Sequence, residues 1–127
     1  MLNRKKIVMR PFDMRKRKSQ KRIEEEVENE LRKEIGKIFE KKRKKLGVEA
    51  RLDLEFISEA SIVGENVYGE AFPFETPPRI RLEVFALDAT TAEITENICH
   101  ELVHILHPEF REEDKEFKRR IRECTKN

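Results

Sequence analysis

Cys99-His100-Glu101-Leu102-Val103-His104-Ile105-Leu106-His107 is the stretch on which the reading of this chain turns. It contains the pattern HExxH. On an α-helix, positions i and i+4 lie one turn apart on one face, so His100 and His104 can offer imidazole nitrogens to a single metal ion. Glu101 stands beside that pair, placed to hold a metal-bound water and take its proton. Three fixed residues also arise by accident on solvated helices, so the flanks decide. Positions 97–106 carry no charge other than Glu101 and the histidines. That is the composition of a buried helix, where an unpartnered polar group costs about 1 to 3 kcal/mol. A metal satisfies all three side chains together; a core helix whose histidines bond to backbone carbonyls is the plainer alternative.

Working outward, Thr90 and Glu93 have the spacing of a capping box, which predicts a helix from about residue 91 to His107, ended by Pro108. A final helix is expected from about residue 111, with Phe117, Ile121 and Cys124 as a narrow apolar stripe. Upstream, Arg79 to Phe85 alternates cleanly, Leu52, Leu54 and Phe56 alternate with charged residues, and 65–72 reads as a weaker strand interrupted by Gly69. Pro73, Pro77 and Pro78 break the chain between the last two strands, and 58–64 is a connection. From Ser19, a plausible N-cap, to Leu46, apolar residues recur at helical spacing through Ile23, Val27, Leu31, Ile35, Ile38 and Phe39. Early glutamates and late lysines would complement the dipole of this long helix, and Gly47 would terminate it. The expected class is α+β, with a small, mostly antiparallel sheet.

With 127 residues the chain makes one domain, here bounded as 19–127 and preceded by a basic arm over 1–18. Residues 1–22 hold ten basic residues against Asp13, a net +9 that leaves −7 for the rest of a chain whose total is +2. Such an arm is a candidate contact for nucleic acid, although like-charge runs are more often solvated, and Phe12 is its only aromatic. No run nears the roughly 18 apolar residues of a membrane span, and no signal peptide is evident, so a cytoplasmic protein without membrane contact is expected. The Lys, Glu and Arg balance suits a thermophilic source. Two cysteines, Cys99 and Cys124, lack a CxxC partner and are expected to stay reduced.

Ile98 to His107 resembles the active-site helix of the zincins. The order of backing helix, short sheet, HExxH helix and short last helix is similar to the minigluzincins, small archaeal zinc peptidases. This resemblance implies one Zn²⁺ per chain held by His100, His104 and a glutamate on the following helix, and a peptide or unfolded protein as substrate. SprT-like proteases are a second resemblance; in them a third histidine follows, with a Phe four residues beyond it. No histidine follows His107 here, which favours a carboxylate as third ligand. With the stripe of the last helix turned inward at about 100° per residue, Glu113 and Asp114 flank its centre, while Glu112 and Glu116 point away. Glu113 is the expected ligand because it stands four residues before Phe117 and reaches further than Asp114. His107 is a further candidate, but the proline after it pulls it out of helical geometry. Tyr68 is a candidate oxyanion donor, although an isolated strand tyrosine more often packs. Arg79 and Arg81 invite a substrate role, with a solvated face the better reading. The expected activity is zinc-dependent peptide hydrolysis with Glu101 as general base. A silent module that binds nucleic acid or protein through the basic arm is the alternative, and a latent, self-blocked enzyme is a third state to test.

Overall fold

Leu31, Ile35 and Phe39 recur every four residues, and all three are buried. They lie on α1 (Met14–Leu46), in a computed structural model that describes residues 14–57 and 66–126, with side chains from residue 24 onward. Each such side chain contributes roughly 1.5 to 3 kcal/mol by leaving water, so packing, more than propensity, holds this highly charged helix in place. Of the basic arm, residues 1–13 lie outside the described residues and 14–18 already belong to α1. The helix therefore starts before Ser19, which is interior and not a cap. The run from Met14 to Arg22 is rich in good helix formers, and one serine does not stop it.

At the other end Gly47 has φ 68°, its N–H donates to Lys44 O, and that of Val48 donates to Arg43 O. This is the double bond pattern that closes a helix around a left-handed glycine, as the sequence led us to expect. The charges flanking α1 match its dipole at one end only: Arg43, Lys44 and Lys45 lie in the last turn, as expected. The first turn holds no acidic residue, and Lys42 and Lys45 serve another helix, α3 (Lys115–Thr125). Lys42 Nζ donates to Lys126 O at 2.9 Å, and Lys45 Nζ donates to Glu123 O and Lys126 O. The basic end of α1 thus caps the carbonyl end of α3.

The sheet contains β1 (Arg51–Phe56), β2 (Val67–Phe72) and β3 (Arg79–Val84) in the order β1-β3-β2. β2 pairs antiparallel with β3, but β1 runs parallel to it, so the sheet is mixed and not mostly antiparallel. Alternation within a strand reports which side chains face inward, not which neighbour the strand takes. β3 is the most buried strand and sits in the centre, separating β1 from β2. Ile80, Leu82 and Val84 of β3 face the helices, in register with Leu52, Leu54 and Phe56 on one side and Ala71, Gly69 and Val67 on the other. Against this face pack α1 and α2 (Thr91–Leu106), which buries Ile94, Ile98 and Leu102. The opposite face is charged. Arg79 pairs with Asp53 and Glu75, and Arg81 with Glu55 and Glu83, so both arginines lie on a solvated face. The architecture is α+β: three helices and a three-stranded mixed sheet among the described residues. No helix among these residues is long and apolar enough to cross a membrane.

The cysteines correct a further expectation. Cys99 on α2 and Cys124 on α3 form a disulfide, with Cα atoms 5.7 Å apart, and both are fully buried. Spacing along the chain gave no sign of this, because it is the packing of α3 along α2 that brings them together.

Candidate metal centre

Thr90 caps α2 by accepting a hydrogen bond from Glu93 N, which sets the register of the helix from its first turn. In that register Ile94, Ile98 and Leu102 enter the core, and His100 and His104 emerge together on the flank that faces the segment 107–114. Their rings meet edge to face with centroids 4.8 Å apart. Phe117 of α3 holds both, 5.0 Å from His100 and 4.4 Å from His104. A buried aromatic wedge of this kind fixes two imidazoles at once, because neither can rotate without losing the ring contact.

Glu112 supplies the third donor. Its Oε1 lies 3.0 Å from His100 Nε2 and 3.5 Å from His104 Nε2, and the three residues form a cluster whose ligand atoms all lie within 4.8 Å of one another. Donor atoms on a tetrahedral ion with bonds of about 2.0 to 2.1 Å stand about 3.4 Å apart, close to the two Glu112 separations, so these three residues could hold a metal ion. The nitrogen and carboxylate donor set suits the same ion.

Glu113 is not brought to this cluster. It is exposed, with Arg111 Nη1 4.0 Å from its carboxylate. A helical wheel does not extend over 111–114, because α3 begins only at Lys115. Residues 111–114 instead form a turn in which Arg111 N donates to Asp114 Oδ2 and Asp114 N donates to Arg111 O. That turn carries Glu112 toward the histidines and occupies Asp114. The missed signal was Asp114 itself, a good N-cap residue three positions after Arg111, which marks a turn there and not a helix. His107 also stands apart: its ring stacks on Phe110 at 4.7 Å and its Nδ1 contacts Glu109.

Electrostatics favours the ligand forms. Burial, then the neighbouring His100, pushes His104 below the ordinary histidine range against the pull of Glu112, which biases it to the neutral, metal-binding imidazole. Hydrogen bonds from His100 and His104 hold Glu112 low, hence ionised. Glu101 behaves oppositely. It is 6% exposed, and burial, reinforced by Glu112 and Glu70 and opposed by His100, raises its carboxyl to about 7.

Glu101, His104 and Glu112 line one open cleft of about 560 Å³ with Tyr68, Glu70 and Phe74. Its far wall is β2, an outer strand of the sheet. Comparison with models of known families, with curated proteins and with solved structures returns no match.

Proposed function

We propose that this chain is a zinc-dependent peptidase of zincin type, with His100, His104 and Glu112 as metal ligands and Glu101 as general base. The observation that carries the reading is the approach of Glu112 Oε1 to both Nε2 atoms, with a buried carboxylate of the same helix in the same cleft. Three protein donors beside an open cleft leave a coordination position free, which distinguishes a catalytic site from a closed structural one. Bound zinc supplies the Lewis acid that polarises a carbonyl and acidifies water.

The chain's own residues supply the rest. Glu101 accepts a proton from the attacking water as its oxygen bonds to the peptide carbonyl carbon. The same carboxyl returns that proton to the amide nitrogen as the C–N bond breaks, so one group serves both transfers. A carboxyl raised to about 7 by burial is well matched to both roles near neutrality. An adjacent divalent cation draws it back toward the charged form. Among the described residues no strand pairs with the outer edge of β2 along the cleft, so an extended peptide can bond there as an added strand.

The test is hydrolysis of an unfolded protein such as casein by the zinc-loaded protein. Wild type is expected to cleave it, chelation to stop cleavage, and Glu101→Gln to stop cleavage while retaining zinc. A Glu101→Gln variant as active as wild type would refute the assignment of the base.

A further inference from the structure

The inward face of β2 reads Val67, Gly69, Ala71, a row whose middle member has no side chain. Glycine in a strand interior weakens the strand, and it usually marks a left-handed backbone or a close approach. Gly69 is not in the left-handed region, unlike Gly47. A methyl group built on Gly69 falls 2.8 Å from Glu101 Cγ, 2.9 Å from Oε2 and 3.2 Å from Cδ. The same group built on Gly36 or Gly47 meets nothing within 4 Å. Among these glycines, Gly69 alone has the space of its missing side chain filled, and Glu101 fills it.

We propose that Gly69 is a positioning residue for Glu101: the bare backbone at this point of β2 forms the slot in which the Glu101 side chain lies. The slot keeps the carboxylate buried at 6% exposure in the cleft that Glu112 and His104 also line. Its importance for hydrolysis rests on the function proposed above; the steric relation does not. Glu101 is flexible, so a methyl at position 69 is accommodated by rotation of that side chain out of the slot. The metal ligands His100, His104 and Glu112 are none of the atoms displaced. The substitution therefore separates the base from the metal site.

Four proteins test this: wild type, Gly69→Ala, Glu101→Ala and the double variant. Gly69→Ala is expected to bind zinc as wild type does and to lose about 100-fold in kcat, the lower end of what a misplaced general base costs, with little change in KM. In thermal unfolding of the zinc-free proteins, Gly69→Ala is expected to raise Tm when residue 101 is alanine, because the methyl then enters free space in a strand. That gain is lost when Glu101 is present. Equal Tm shifts in the two backgrounds would overturn the proposal even in an active enzyme. Unequal shifts in a wild type that hydrolyses no peptide would support Gly69 as the residue that places Glu101 and refute the peptidase reading alone. If Gly69→Ala fails to fold, a folded double variant supports the contact and an unfolded one overturns it.

Discussion

Cys124, one residue from the end of α3, is covalently joined to Cys99, the residue that precedes His100 on α2. The bond therefore ties down α3, whose first turns carry Phe117 against both histidines and which follows directly on the turn that carries Glu112. At its far end the same helix is held by Lys42 and Lys45 of α1. Glu112, the proposed third ligand, thus rests on a segment anchored by a disulfide, an aromatic wedge and two charged caps.

The disulfide closes a loop with a sequence separation of 25 residues. For a loop of that size the loss of unfolded-state entropy is worth about 3 to 4 kcal/mol. Replacing both cysteines with alanine is expected to lower Tm by roughly 10 °C, at about 3 to 4 °C per kcal/mol for a size between the small and mid-sized domain classes. A Tm unaffected by the substitutions would show that the anchor is not formed in solution.

The raised carboxyl of Glu101 gives the zinc-free protein a pH dependence of definite sign. Between its ordinary value of 4.5 and its folded value of about 7, the folded state keeps a proton that the unfolded state has released. Stability from this group is complete below about 4.5 and is lost as pH rises through 7, by on the order of 3 kcal/mol. His104 and Glu112, both lowered, act in the opposite sense over lower windows. The comparison that isolates Glu101 is therefore urea unfolding of wild type and Glu101→Gln from pH 4 to 8. Their stabilities are expected to diverge with rising pH in favour of the glutamine. Parallel curves would refute a desolvated carboxyl at this site.

Much of this was legible beforehand because its causes are local. Thr90 with Glu93, Gly47 and the alternation of Ile80, Leu82 and Val84 each act within a few residues, and the elements they define are present. The parallel pairing of β1, the Cys99–Cys124 bond and the capping of α3 by Lys42 depend on elements far apart in sequence, where no spacing rule operates. The expected third ligand, Glu113, lies outside the histidine cluster for an intermediate reason. A helical wheel is reliable only inside a helix, and Glu112 lies three residues before α3 begins. A helix start expected four residues early points the wheel at Glu113, whereas Glu112 stands in the cluster with the histidines.

Lys42 and Lys45 share the Lys126 carbonyl but differ in burial, Lys42 being 3% exposed and Lys45 exposed. Removing the buried charged donor is expected to cost about 2 kcal/mol, since a buried charged bond to the Lys126 carbonyl is lost and the stem leaves a gap. Lys45→Ala is expected to cost under about 1 kcal/mol because water replaces its bonds. Urea unfolding of the two variants checks the order. Equal, small effects would show that α3 does not depend on this cap.

The most direct test is zinc content and affinity in wild type, Glu112→Ala and Glu113→Ala, measured side by side. The geometry of His100, His104 and Glu112 predicts one zinc per chain in wild type and an unchanged affinity in Glu113→Ala. Glu112→Ala should lose at least the 10 to 100-fold that even an outer partner of a metal ligand contributes. Wild-type zinc affinity in Glu112→Ala, or no zinc in the wild-type protein, would contradict the account.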